Sequence, residues 1–295
     1  MNEYMLTCDS TADLSEEHLN RRGIPYAHFT FHMDGKDYAD DYGHSMPIAV
    51  FYEKLRQGAI STTSQVSLGE YEAFWEPYLA EGKDILHLTL SSGISGSYNA
   101  ALVAAEELRS RYPKQKVVVI DSQNASSGYG LLVDIAADGR DQGLSLQELE
   151  AEVLRRRDGV NAWFFTSDLT WFWRGGRLSK TAFVLGTALK VCPLMRVNLA
   201  GALVAAAKLR GKQRAMEACE KRMVERADGG TDYSGYCYIS QSACLEDANA
   251  LKALIERDFP KLVGKVRIFQ IGTVIGSHTG PGTVALFFEG KAREA

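Results

Sequence analysis

Alternating Leu86, Leu88 and Leu90 break off at Ser91, and from Asn99 through Leu108 the apolar positions return with helical spacing. Between them lie Ser91, Ser92, Gly93, Ser95, Gly96 and Ser97, so the pattern predicts a buried strand, a hydroxyl-rich turn and a helix. Glycines let the backbone turn tightly and come close to a bound group. A helix N-terminus presents unpaired N–H donors at the positive end of a dipole, and the serines add neutral donors around the same point. This turn is suited to a carboxylate or phosphate oxygen.

The same succession occurs earlier. Tyr4 to Cys8 reads as a strand, Asp9-Ser10-Thr11-Ala12-Asp13-Leu14-Ser15 as a polar turn, and Glu16 to Arg22 as a helix. Pro25 to Phe31 predicts a second strand, and Asp34-Gly35 a hairpin after His32-Met33. His32, Asp34, Asp37, Asp40 and Asp41 read as solvated hairpin residues rather than a metal site. A helix begins at Ser45-Met46-Pro47 and stops at Gly58. Ser61-Thr62-Thr63-Ser64 then forms a second hydroxyl-dense loop before the capping box Ser67 to Glu70. Val117 to Ile120 has the β-branched run of a central parallel strand, and Gly128 to Ala137 and Leu144 to Arg157 are helical. Strands separated by helices give a parallel sheet whose ligands bind beyond the carboxyl ends of the strands, where Asp9-Ser10, Ser91-Ser92 and Asp121-Ser122 would lie.

After Gly159 the pattern changes, which predicts two α/β domains, 1–158 with a parallel sheet and 159–295 with a mixed or antiparallel one. Trp171-Phe172-Trp173 cannot all face one side of a helix, so at least one lines a cavity, an interface or solvent. Ser179 is placed to cap an apolar helix through Phe183 to Leu189. Pro193 to Val197 and Leu203 to Leu209 read as paired strands around Ala200-Gly201, with Lys208 and Arg210 at their exit. His278 stands in a loop of glycines and hydroxyls before the last strand, Val284 to Phe288.

Composition narrows the classes of function. The 295 residues are 45% hydrophobic and 24% charged, enough for a sizeable core, and a net charge of −4 leaves no basic footprint for nucleic acid. Five scattered cysteines, with no Cys-x-x-Cys pair, read as reduced thiols rather than a disulfide framework or a zinc site. Without a secretory leader or a membrane-spanning run, a cytoplasmic protein is expected.

Six segments, taken together, resemble the DegV family of bacterial fatty-acid-binding proteins, the acyl-carrying partners of fatty acid kinase. They are Asp9-Ser10-Thr11-Ala12-Asp13-Leu14, Thr63-Ser64-Gln65-x-Ser67, residues 91–98 of the hydroxyl-rich turn, Val119-Ile120-Asp121-Ser122, Gly175-Gly176-Arg177-Leu178-Ser179-Lys180 and His278-Thr279-Gly280-Pro281-Gly282. Cys8 and Val66 depart from the family's usual small hydroxyl residue and proline. The resemblance implies a long-chain fatty acid in the N-terminal domain, no metal, and a carboxylate met by Thr63, Ser64 and Ser92 with the imidazole of His278. Gly93, Ser95 and Thr279 belong to the same segments. It further implies a role as carrier rather than enzyme, which presents the carboxylate to a separate kinase for acyl-phosphate formation, with transient membrane contact for lipid exchange. Arg177, Lys208 and Arg210 would contact the phosphate or the kinase, apart from acyl binding. The rival reading is a serine hydrolase. Gly93-Ile94-Ser95-Gly96-Ser97 nearly matches Gly-x-Ser-x-Gly, and Ser95, Asp121 and His278 follow the chain order of an α/β-hydrolase triad.

Overall fold

The structure, a computed structural model, describes residues 4–166, 168–178 and 191–295. Ser179, Lys180 and the apolar helix expected through Leu189 lie outside the described residues. Strands β1 (Tyr4–Asp9), β2 (Tyr26–Ala27), β6 (Asp84–Thr89) and β7 (Val117–Asp121) form a parallel sheet in the order β2-β1-β6-β7. Helices α1 (Glu16–Arg21), α3 (Leu68–Ala80) and α4 (Ser97–Arg111) belong to this part of the chain. Because the strands are parallel, Asp9, Ser91 and Asp121 all emerge at one edge, as the sequence predicts.

The expected strand from Pro25 to Phe31 is split. Its first part pairs with β1, and β3 (Thr30–Met33) leaves for a three-stranded antiparallel sheet with β4 (Lys36–Ala39) and β5 (Ser61–Ser64). Asp34 (φ 53°) and Gly35 (φ 72°) make the tight hairpin turn that Asp-Gly favours. Strand β5 corrects the sequence reading of Ser61 to Ser64 as a loop. Four hydroxyl residues in a row carry no apolar alternation, and the strand exists because its backbone pairs with β3, Thr63 opposite Phe31. Helix α2 (Ile48–Arg56) covers this small sheet with Phe51, which is buried against Phe31.

The later half builds a six-stranded mixed sheet in the order β10-β9-β8-β13-β11-β12. Its strands are β8 (Val160–Phe165), β9 (Val191–Val197), β10 (Leu203–Arg210), β11 (Cys237–Gln241), β12 (Arg267–Gln270) and β13 (Val284–Glu289). Only β11 and β12 pair in parallel. Helices α8 (Lys212–Arg226) and α9 (Leu245–Asp258) pack beside it, while α7 (Thr170–Arg174) and α10 (Thr273–Thr279) are short helices at the site described below.

Helix α5 (Ser126–Asp141) joins the two large sheets, with α6 (Leu146–Arg157) packed on it. One continuous core holds Leu6, Leu86 and Leu88 of the parallel sheet, Leu131, Leu132 and Ile135 of α5, and Phe164, Tyr238 and Phe287 of the mixed sheet. A helix enclosed on two sides is buried over most of its length, and α5 is buried from Ser126 through Ala137. Its fully buried charge is Asp134, met by His18 Nε2 at 2.8 Å, Arg22 Nη1 at 3.1 Å and the Tyr238 hydroxyl at 2.7 Å. Removing one member of a buried ionic cluster strands the others, so Asp134→Ala is expected to lose roughly 3–5 kcal/mol of stability in urea denaturation. A loss below about 1 kcal/mol would show that the cluster does not hold α1 and β11 to this helix.

Candidate functional site

The site lies where the carboxyl edge of the parallel sheet meets the small sheet, α7 and α10. Asp9, fully buried at the end of β1, accepts from the Tyr71 hydroxyl at 2.9 Å and from the backbone N–H of Leu90 at 3.3 Å, with His87 Nε2 3.2 Å away. It fixes the point at which β6 ends and the hydroxyl-rich turn begins.

Within that turn the hydroxyls divide their work. Ser91 donates to the carbonyl of Gly201 at 2.9 Å, which ties the turn to the β9–β10 hairpin. Ser92 donates to Asp121 through its hydroxyl at 2.5 Å and its N–H at 3.1 Å. Gly93 sits so close to the Ala200–Gly201 backbone that a Cβ would come within 2.8 Å of it. Ser95 pairs with the Ser97 hydroxyl at 2.8 Å. Of these residues Ser95 lines the cavity, and the others hold its wall.

Two buried carboxylates place the opposite wall. Asp13 accepts from the N–H of Gly272 at 2.9 Å, and Asp40 from the N–H and hydroxyl of Thr273 at 3.0 and 2.6 Å, so both sit on the first amides of α10. Ser126 and Ser10 donate to their remaining oxygens at 2.5 and 2.8 Å. Burial pushes both carboxyls upward, and these donors pull against it. Asp40 thereby corrects the reading of this aspartate as a solvated hairpin residue: its partners Ser10 and Thr273 stand 30 and 233 positions away along the chain, beyond the reach of local pattern.

Helix α10 carries His278 in its last turn, where the sequence predicts a loop; seven residues rich in β-branched and small side chains show no helical period of their own. Residues 61 and 63 share one face of β5 and meet two consecutive residues of α10. Ser61 pairs with Ser277 at 2.7 Å, and Thr63 Oγ1 lies 2.7 Å from His278 Nε2. His278 Nδ1 is buried against Gly175 just beyond α7, without a hydrogen-bond partner among the described residues. Burial first, and the neighbouring Arg177 guanidinium second, push the imidazole down to about 4, so it is neutral near pH 7 and offers one N–H.

Thr63, Ser64, Gln65, Ser95, Arg177 and His278 form the polar part of a cavity of about 350 Å³. The rest of its lining is apolar, from Phe29, Leu90 and Ile94 on one side to Phe172, Leu203 and Val274 on the other, so both halves of the chain contribute. Arg177 donates from Nε to the Ile94 carbonyl at 3.1 Å, and among the described residues no carboxylate pairs with it. Among the described residues neither Asp nor Glu lines the cavity. An apolar chamber with hydroxyls, a neutral imidazole and an uncompensated guanidinium at one region suits a ligand with one anionic group and an apolar body.

The sequence-predicted residues are therefore partly brought together. Thr63, Ser64, Ser95, His278 and Arg177 line one cavity, whereas Ser92 and Gly93 support its wall, and Thr279 is buried beside His278 with its hydroxyl unpartnered. Arg177 lies at the cavity itself rather than apart from it. Lys208 and Arg210 point to solvent from edge strand β10, roughly 17–23 Å along that strand from Leu203, and do not line it. Of the three adjacent aromatics, Phe172 is buried on Phe164, Trp171 is half-buried and Trp173 is 44% exposed. Sequence reasoning missed Ser61, Ser277 and Arg174, although the paired arginines flanking Gly175-Gly176 carried a signal for the last.

The hydrolase arrangement is not favoured. Asp121 accepts from Ser92 and from the N–H of Gln123 at 2.9 Å, Ser95 pairs with Ser97, and His278 pairs with Thr63, so no hydrogen bond links the three residues of the supposed triad. Nor does a carboxylate raise His278 toward the range of a general base.

Fold and cavity together define an α/β protein with a polar-ended apolar chamber at a sheet's carboxyl edge. The chain belongs to the DegV family: that family's model, described as one of uncharacterised proteins, matches residues 4–291. The DegV domain-containing protein CPE0026 of Clostridium perfringens is 34% identical over 294 residues, covering 100% of both chains. A Thermus thermophilus structure described as fatty acid binding of a DegV family protein is 28% identical, with a TM-score of 0.85 over 98% of this chain and 100% of that one. The Streptococcus pneumoniae Fatty Acid Kinase (Fak) B3 protein loaded with linoleic acid shares the fold, with a TM-score of 0.83 and 22% identity over 98% and 99% of the two chains.

His278 also sets a pH dependence. Its folded value of about 4 lies below the ordinary 6.5, so the unfolded chain takes the proton first and stability falls as pH drops from 6.5 toward 4. The slope from this one group is at most about 1.4 kcal/mol per pH unit. Denaturation of ligand-free protein across this window is expected to show a flatter profile for His278→Gln than for the parent. Equal slopes would place the proton uptake elsewhere.

Proposed function

We propose that this protein binds a long-chain fatty acid and presents its carboxylate to a separate kinase, which converts it to an acyl phosphate. The observation that carries this reading is the single polar region of the apolar cavity, where Thr63, Arg177 and His278 meet with no acidic neighbour. Thr63, Ser64, Ser95 and His278 supply hydrogen bonds to the carboxylate, Arg177 supplies charge, and Ser92, Gly93 and Thr279 keep the walls in place. The acyl chain runs along the apolar lining, where each buried CH₂ contributes ~0.8 kcal/mol. The relative from Thermus thermophilus, described as binding fatty acid, supports the lipid part. The kinase part stands on the six family segments.

On this reading the protein is a carrier and not itself an enzyme. Residues 1–158 form the domain that holds the ligand and residues 159–295 the domain that closes over it. Lys208 and Arg210, solvent-facing on an edge strand, serve as contacts for the kinase rather than for the headgroup. We place the protein in the cytoplasm, with transient contact to a membrane surface for lipid exchange. Among the described residues no helix is long and apolar enough to cross a membrane.

Loss of a hydrogen bond to a charged acceptor costs ~1.5–3 kcal/mol, so His278→Ala is expected to weaken oleate binding roughly tenfold or more. The variant also loses the hydrogen bond between His278 and Thr63, worth ~0.5–1.5 kcal/mol, so its ligand-free thermal midpoint near neutral pH is expected to fall by no more than a few degrees. Titration of delipidated protein with oleate measures both variants. Failure of the parent to bind any long-chain fatty acid would overturn the function, and equal affinity in parent and variant would remove His278 from the headgroup site.

A further inference from the structure

A cleft of about 460 Å³ opens at the far edge of the mixed sheet, where β11 and β12 begin. Arg156 near the end of α6, Tyr236, Lys265 and Arg267 at the two strand starts, and Glu289 at the end of β13 are among its lining residues. Helix α10 follows the opposite, carboxyl end of β12, so the cleft lies roughly 13–17 Å along the strands from the acyl cavity, and it shares no lining residue with it. We propose that this cleft binds phosphate groups, either of a free inorganic diphosphate or of a nucleoside diphosphate. The inference does not depend on the fatty-acid reading.

Charge carries the argument. Among the described residues the cleft is lined by three cations and one carboxylate. That carboxylate is already taken: Arg156 donates to Glu289 from Nε at 2.7 Å and also from Nη2, a closed fork-to-fork pair. Lys265 is exposed, and its ammonium has no hydrogen-bond or ion-pair partner among the described residues. Arg267 is exposed as well and meets no carboxylate among them; its Nη1 lies 3.2 Å from His18 Nδ1. Two positive charges two positions apart therefore stand uncompensated in one cleft, although the protein as a whole carries a net charge of −4.

The hydrogen bonds behind the cleft show why Arg267 is held there. His18 Nε2 faces the Asp134 carboxylate at 2.8 Å, and a carboxylate accepts, so Nε2 carries the proton and Nδ1 is the acceptor. Arg21 Nη2 at 3.0 Å and Arg267 Nη1 at 3.2 Å both donate to that one nitrogen. Arg267 reaches it because residues 267 and 269 share a face of β12, and the Phe269 ring packs edge-on against His18. Two guanidiniums on a single acceptor repel each other, and Glu17, 3.7 Å from Arg21, is too exposed to offset much of this. A phosphate held by Lys265 and the free side of the Arg267 fork offsets the repulsion and takes paired hydrogen bonds that a planar guanidinium matches. The cleft is larger than one phosphate needs, and Tyr236, its hydroxyl fixed on Asp138 at 2.7 Å, adds an aromatic ring to the lining, so a second phosphate or a nucleoside has room beside the first.

The test titrates the full chain calorimetrically with inorganic pyrophosphate and, separately, with adenosine 5′-diphosphate, without divalent cations and against sodium chloride of equal ionic strength. The parent is expected to bind at least one of the two, and that ligand should raise its thermal midpoint by about 2 °C or more beyond the salt control. K265Q and R267Q should each weaken binding roughly tenfold, and R267K should recover part of the loss. Tighter binding of pyrophosphate identifies the free anion as the ligand, and tighter binding of the nucleotide identifies a phosphate carried on a nucleoside. K265Q removes a side chain with no partner among the described residues, so it decides the matter even where R267Q disturbs His18. A parent that responds to neither probe beyond the salt control overturns the site. Binding that K265Q leaves at the parent's strength overturns it too, because the anion then sits elsewhere on the protein.

Discussion

The site depends on two buried carboxylates that have no cationic partner among the described residues. Asp13 and Asp40 are compensated instead by the first amides of α10, by Ser10, Ser126 and Thr273, and by the positive end of the helix dipole. These bonds tie three separate stretches of chain, around residues 10–13, Asp40 and Ser126, to the start of one seven-residue helix. Such a helix is too short to hold itself in water, so its position is supplied by this clamp and by the contacts of β5. The position of His278 follows from it.

From that constraint the chemistry of the cavity can be built. A fixed α10 sets His278 against Thr63 and leaves Nδ1 without a partner, while burial keeps the ring neutral. Asp9 fixes the other wall through the N–H of Leu90, and Ser91 anchors that wall to the β9–β10 hairpin. The result is a chamber whose donors are held in place by the fold around one region. Arg177 adds a charge that no carboxylate answers among the described residues.

Much of this was legible in the chain, and the gaps have physical causes. Strand, turn and helix around Ser91 were readable because Leu86, Leu88 and Leu90 alternate and the helical period resumes after the turn. The Asp34-Gly35 hairpin and the parallel and mixed sheets were readable for the same local reasons. Strand β5 was not, since its stability comes from pairing with β3 and not from its own residues. The roles of Asp13 and Asp40 were hidden because the α10 amides they hold, at Gly272 and Thr273, lie more than 200 positions away. Density of hydroxyls pointed to this turn but did not distinguish its members: Ser92 donates to Asp121 and Ser95 lines the cavity, a division that only tertiary structure makes.

The central claim is that a fatty-acid carboxylate lies against Thr63, Arg177 and His278, and carbon-13 NMR of carboxyl-labelled palmitate bound to the full chain reads that environment directly. A carboxylate facing a guanidinium and neutral donors should remain ionised to lower pH than free fatty acid. Its resonance should therefore stay unshifted through the titration of the free ligand and move when Thr63 is replaced by Val. A bound carboxyl group that titrates as it does in solvent, and that ignores the Thr63 substitution, would contradict the account.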